Sequence, residues 1–208
     1  MRLIEGIKQL QGAPSIIPGT HRFDFPEFLV EMGYKVGAEV GVHKGEYTER
    51  FCKAGLKMYA VDPWMAFWGQ GRTQAKQDVQ DGYYQVAYNR LSPYDNCIFV
   101  RRTSMDAVIG FEDNSLDFVY IDGDHAFQHV ANDIVAWSKK VRSGGIISGH
   151  DYFNTNPEAR NVLCQVKSVV NAYTEAFGIN PWWLFGELDP AKEPNRKERF
   201  YSWFWIKK

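Results

Sequence analysis

The chain has 208 residues, 45% of them hydrophobic and 24% charged, which is ordinary globular composition and enough length for one well-buried core. A formal net charge of −1 offers no general attraction to phosphate backbones or anionic lipid, so nucleic acid and membrane surfaces are set aside and a small-molecule partner is expected. The start of the chain lacks the apolar run of a signal peptide, no stretch approaches a membrane span, and Cys52, Cys97 and Cys164 fall in no metal-binding spacing, so the expectation is a cytoplasmic protein with reduced thiols.

Residues 1–35 contain Pro14, Pro18 and Pro26 with little periodicity and read as an irregular leader or cap, with a helix from Pro26 to Met32. The rest, 36–208, reads as one domain. Gly37 to Val42 is a buried strand, Gly45 to Ala54 a helix, and Met58 to Val61 a second strand ending at Asp62. This is the opening of a doubly wound α/β sheet, in which ligands sit at the carboxyl ends of the strands. An insert at about 63–95 is rich in aromatics and glycine. Its second half, Thr73 to Leu91, reads as a helix with Val79, Tyr83, Val86 and Arg90 along one side. A lid over the ligand edge and an extra helix packed on the sheet are both open readings.

Asn96 to Arg101 is the third strand, Ser104 to Gly110 a short helix, and Ser115 to Asp122 the fourth strand. Next, Ala126, Val130, Ile134, Trp137 and Val141 recur at helical spacing and define one apolar face. A fifth strand runs from Gly144 towards His150-Asp151, and residues 159–177 form a further helix. Trp182 to Gly186 and Arg199 to Ile206 read as two closing strands around a loop holding Pro190 and Pro194; the second is apolar on both faces, the mark of an interior strand. Because a parallel crossover is right-handed, the fourth and fifth strands end on one edge, and Asp122 should face the same crevice as His150 and Asp151.

The first loop, Glu39-Val40-Gly41-Val42-His43-Lys44-Gly45, places glycines where backbone must approach a ligand closely. Asp62 ends the next strand, where an acid can accept bonds from ribose hydroxyls. Two cofactor classes fit. A dinucleotide would want G-x-G-x-x-G, which is missing, and its pyrophosphate would meet the carboxylate of Glu39. S-adenosylmethionine carries a sulfonium, an ammonium and two ribose hydroxyls, all of which acids suit. An NAD(P)-dependent oxidoreductase and a non-catalytic cofactor-binding protein are the alternatives.

The pattern E-x-G-x-x-x-G with an acid after the second strand resembles the class I S-adenosylmethionine-dependent methyltransferases. The block IDGDH, a helix and then GGIISGHDY is similar, more narrowly, to the bacterial macrolide-sugar and aminocoumarin O-methyltransferases. The resemblance covers about residues 36–152. It implies a Rossmann-like, mostly parallel seven-stranded sheet with an antiparallel closing strand. It also implies that Glu39 and Gly41 hold the methionine portion of the cofactor, with Val42 and Gly45 in the same loop and Asp122 nearby. Asp62 would take the ribose and Ser104 the adenine, although a serine there also suits a helix N-cap.

A divalent ion, Mg or Mn, is implied at Asp122, His150 and Asp151; His150 departs from the all-oxygen pattern and favours Mn or a role outside the ligand set. Asp122 would thereby serve catalysis, and Asp124 and His125, on the turn that follows, are candidates for the general base. Each has a plainer reading, Asp124 as a helix N-cap and His125 as a local hydrogen-bonding residue; His43 and His129 read as local contacts. The expected activity is metal-assisted methyl transfer to a hydroxyl of a small molecule, a sugar or glycosylated natural product. Trp64, Phe67, Trp68 and Tyr83 would line the acceptor pocket, and a homo-oligomer is left open.

Overall fold

The computed structural model describes residues 1–66, 76–155, 163–186 and 200–208. Its strands are β1 (Ser15–Ile16), β2 (Val36–Val40), β3 (Lys57–Val61), β4 (Cys97–Val100), β5 (Leu116–Ile121), β6 (Val141–Gly149), β7 (Trp183–Phe185) and β8 (Ser202–Ile206). The helices are α1 (Leu3–Gln9), α2 (Phe25–Glu31), α3 (Glu46–Lys53), α4 (Gln77–Leu91), α5 (Ser104–Val108), α6 (Phe127–Lys140) and α7 (Val166–Ala176).

All eight strands join one sheet in the order β1-β7-β8-β6-β5-β2-β3-β4. Every neighbouring pair is parallel except those made by β8, which runs antiparallel to both β6 and β7. The chain builds outward from β2 through β3 to β4 and then returns to lay β5 on the other side of β2. That reversal is the switch point at which open α/β sheets place their ligands.

The sheet is packed on both faces. Side chains alternate along a strand, so Ala38, Val119, Ile147, Trp203 and Trp205 meet α5, α6 and α7 on one face. Phe118, Tyr120, Ile146 and Phe204 meet α2 and α3 on the other. The interior placement expected for the last strand holds: Trp203, Phe204 and Trp205 are all buried. Within α6 the apolar stripe Val130, Ile134 and Trp137 is buried as its period dictates. Its first turn is held by tertiary contacts, with Gln165 Oε1 accepting the Phe127 N–H at 3.0 Å; Lys139 and Lys140 end it, where positive charge suits the helix dipole.

Three expectations are corrected. The sheet has eight strands, not seven, because the leader supplies the edge strand β1, whose Ser15 N–H bonds the Trp182 carbonyl at 3.0 Å. The leader is therefore not irregular: it carries α1, β1, a 3-10 turn at Arg22–Asp24 and α2. Leu3, Ile17, Phe25, Phe28 and Leu29 of this segment are buried in the core shared with α3 and β8. Finally, α4 turns Ala87 and Leu91 inward and leaves Val79 and Val86 exposed, so the apolar side read from the sequence is not the packed one. The expected starts of two elements, at Thr73 and 159, and the expected Arg199 strand start lie outside the described residues, as do Pro190 and Pro194. Among the described residues no helix is long and apolar enough to cross a membrane.

Candidate active site

The carboxyl ends of β2, β3, β4 and β5 open into a cavity of about 730 Å³. Its lining brings together most of the residues singled out in the sequence: Glu39, Gly41, Val42, Asp62, Ser104, Asp122, Asp124 and His125.

Glu39 is the penultimate residue of β2, and the alternation that buries Ala38 and Val40 on one face turns Glu39 to the other. There it is buried and accepts a hydrogen bond from the Thr48 hydroxyl on α3. Burial pushes its pKa up to about 8, against the opposing pull of Thr48 and Arg22. Gly41 follows at φ 96°, in the left-handed region. A Cβ at this position would lie 2.2 Å from the Asp122 carbonyl oxygen, so only glycine lets the β2 and β5 loops close on each other at the switch point. Gly45, at φ 76°, turns the chain into α3.

Asp62 leaves β3 with its carboxylate already engaged by backbone: the His43 N–H donates at 2.9 Å and the Trp64 N–H at 2.8 Å. Burial nevertheless raises its pKa. Trp64 does not line the cavity. Its indole N–H donates to the His43 carbonyl at 2.7 Å, and its ring is fully buried against Val42, Ala60, Ala87 and Leu91. Tyr83 packs edge-on to His43, with ring centroids 4.3 Å apart. Trp64 is thus a packing residue, and Tyr83 packs on a cavity-lining histidine; Phe67 and Trp68 lie outside the described residues.

Thr103, not Ser104, caps α5, its hydroxyl accepting the Asp106 N–H. Ser104 instead donates to Asp133 on α6 and accepts from the Trp137 indole N–H at 2.8 Å. Asp133 did not emerge from the sequence as a candidate. The available signal was an acid in a buried stripe, since residues 130, 133, 134 and 137 share one helical face.

The β5 and β6 ends behave as the strand-helix-strand reading requires. Ile121 pairs with Gly149, so Asp122 and His150 leave adjacent strands side by side. His125 Nε2 lies 3.0 Å from Asp151 Oδ2 and 3.8 Å from Asp122 Oδ1. His150 Nδ1 lies 3.0 Å from Asp151 Oδ1 and 4.0 Å from Asp122 Oδ1. Burial works against charge on His125, but its bonds to Asp122 and Asp151 prevail and push its pKa up to about 9. Burial likewise opposes charge on Asp151, yet His125 and His150 hold its carboxyl well below the usual range.

Asp124 accepts the Ala126 N–H at 2.7 Å and lies 3.1 Å from His129 Nδ1. It organises the turn before α6, while the N-cap position belongs to Ala126. His129 is half exposed and also lines the cavity, as does His43.

The leader contributes a residue that no local pattern announced. Arg22 places its guanidinium 2.6 Å from Asp122 Oδ2 and 4.1 Å from the centroid of the Tyr47 ring. Burial disfavours its charge, but Tyr120 and Asp122 raise its pKa well above the ordinary value. Arg22 therefore neutralises one side of the Asp122 carboxylate and leaves Oδ1 facing the histidines.

One ligand atom each from Asp122, His125 and Asp151 can be chosen such that all lie within 4.8 Å of one another. Two carboxylates and an imidazole at that spacing fit a divalent ion of the Mn type. In this set His125 takes the place that the sequence reading gave His150. The His150 Nε2 is buried with no hydrogen-bond partner among the described residues, and its Nδ1 holds Asp151.

The methyltransferase domain family matches residues 38–152, more than half of the chain. An uncharacterized protein of Acanthamoeba polyphaga mimivirus is 30% identical over 119 residues, covering 55% of this chain and 50% of that protein. An uncharacterized protein of Sinorhizobium fredii is 27% identical over 119 residues, covering 54% of this chain and 12% of that protein. The match thus spans half or less of these relatives.

Among solved structures, an O-methyltransferase from Bacillus cereus in complex with SAH superposes with a TM-score of 0.57 at 14% identity, covering 98% of this chain and 87% of that one. An rRNA methylase from Streptococcus thermophilus gives a TM-score of 0.59 at 14% identity, covering 88% and 93%. Both share the fold. With the glycine-turned loop of β2, the acid after β3 and the acidic turn after β5 around one cavity, the chain belongs to the methyltransferase domain family.

Proposed function

We propose that the protein transfers the methyl group of S-adenosylmethionine to a hydroxyl of a small molecule, a sugar or a glycosylated natural product, with assistance from a divalent ion. The observation that carries the reading is one cavity lined by Glu39 and Asp62 from the cofactor loops and by Asp122, Asp124 and His125 from the acidic turn. Cationic cofactor and polar acceptor would thereby meet at the switch point. The family match weighs against the oxidoreductase reading.

Glu39 suits the cofactor's ammonium, and Asp62, held by two backbone N–H groups, keeps a fixed acceptor face for the ribose. In the transfer step the acceptor oxygen forms a bond to the methyl carbon as the sulfur–carbon bond breaks, and the sulfonium becomes a neutral thioether. The hydroxyl proton must leave. Asp124 is the base we assign, because it lines the cavity and is fixed by the Ala126 N–H. A divalent ion held by Asp122, His125 and Asp151 would lower the pKa of the acceptor hydroxyl and orient it. His150 acts on Asp151, keeping that carboxylate ionised and in place.

Isothermal titration of S-adenosylmethionine, NAD and NADP tests the reading, followed by mass spectrometry of glycosides incubated with cofactor and Mn²⁺. Cofactor binding that Asp62→Ala weakens, and a mass gain of one methylene on the acceptor, are expected. Binding of NAD or NADP in place of S-adenosylmethionine would overturn it.

A further inference from the structure

The serine that should meet the adenine ring is already committed. Its hydroxyl hydrogen goes to Asp133 Oδ1, and the Trp137 indole N–H occupies a lone pair at 2.8 Å. Asp133 itself is different. It is 5% exposed, it lines the cavity together with Thr103, Ser104 and Met105, and only its Oδ1 is bonded.

Asp133 Oδ2 has no hydrogen-bond partner among the described residues and faces the β5 loop, 3.9 Å from where a Cβ on Gly123 would sit. A buried carboxylate oxygen left open towards a cavity calls for a ligand that brings an N–H group. In a cofactor held by Glu39 and Asp62, the remaining N–H donor is the 6-amino group of the adenine.

We propose that Asp133 reads the adenine ring, its Oδ2 accepting a hydrogen bond from the 6-amino group, while Ser104 and Trp137 are positioning residues that hold the carboxylate at that spot. The proposal rests on the cofactor reading above. A carboxylate accepts from an amine but repels the carbonyl oxygen of hypoxanthine, so the site discriminates between the two bases. Burial raises the Asp133 pKa to about 6, which leaves the ionised acceptor predominant at neutral pH.

The test is isothermal titration of the full chain with S-adenosylhomocysteine and S-inosylhomocysteine at pH 7.5. The wild-type protein should prefer the adenine compound at least about tenfold, since a site built around one hydrogen bond rejects the analogue that lacks it. Asp133→Ala, which removes the acceptor altogether, should weaken the adenine compound and bring the ratio close to one. Ser104→Ala should weaken both compounds while keeping the preference within about threefold of wild type, because the carboxylate remains.

Equal binding of the two compounds by wild type overturns the proposal whether or not the variants fold. So does an unchanged ratio in Asp133→Ala, or a ratio lost in Ser104→Ala alone. Absence of binding by either compound overturns the cofactor reading itself.

Discussion

Arg22, from a segment one hundred residues upstream, donates to Asp122 Oδ2 at 2.6 Å while His125 and His150 approach the other oxygen. One carboxylate at the switch point is thus shared between a fixed guanidinium and the β5–β6 cluster. The leader is therefore part of the site and not only of the core.

Removing the arginine leaves a largely buried charge without its strongest partner. Arg22→Ala should destabilise the protein by about 3 kcal/mol, the magnitude typical of breaking a buried pair. In a chain of this size that corresponds to a fall of roughly 10 °C in Tm, read by differential scanning calorimetry. Added Mn²⁺ should raise the Tm of Arg22→Ala more than that of wild type, because a cation then takes over the charge of Asp122. Equal shifts would separate Arg22 from the metal set.

Glu39 ties stability to pH. Its pKa is raised in the folded chain from 4.5 to about 8, so its contribution is fully present below the unfolded value and is lost as pH rises towards and through 8. Urea titrations of cofactor-free protein should show stability declining from pH 5 to 8, with a Glu39 share of roughly 2–4 kcal/mol. Glu39→Gln should flatten that decline. Binding of a cofactor ammonium favours the ionised form, so calorimetry at pH 7 in buffers of different ionisation enthalpy should show proton release that Glu39→Gln abolishes.

Gly41 is confined by position as well as by φ. Gly41→Ala would drive a methyl group into the Asp122 carbonyl at 2.2 Å in a left-handed backbone. Separation of the β2 and β5 loops should cost more than about 2 kcal/mol and abolish cofactor binding by titration calorimetry. A variant with near wild-type affinity would mean that the loops do not need this approach.

The acidic cluster makes two separable predictions. Asp151→Ala removes the carboxylate that His125 and His150 each meet at 3.0 Å, and titration calorimetry should show Mn²⁺ affinity reduced at least about tenfold. Asp124→Asn keeps an acceptor for the Ala126 N–H but not a base, so kcat should fall by about 10²–10⁴ with cofactor affinity unchanged. Activity that survives chelation and Asp151→Ala would remove the metal from the mechanism.

Most of the sheet strands were legible as short apolar runs, and β2, β3, β5 and β7 are each closed by glycine or an acid. The β5–α6–β6 unit was the clearest, since a helical period sits between two such runs and handedness sets both ends on one edge. The leader was misread because its prolines masked a helix at Leu3–Gln9 and a two-residue edge strand too short to carry alternation. On α4 the choice between two faces depended on what lay beneath, Val42 and Trp64, which no period in the helix itself encodes.

Local chemistry of the sequence determined that Glu39, Gly41, Asp62, Asp122 and Asp151 stand at strand ends, because strand length and turn residues are short-range properties. Only the tertiary structure decided what those groups meet. Arg22 reaches Asp122, Asp133 takes the hydroxyl of Ser104, and His125 gathers with Asp122 and Asp151 within 4.8 Å. Each of these pairings depends on packing between elements distant along the chain or on the direction in which a side chain leaves its turn.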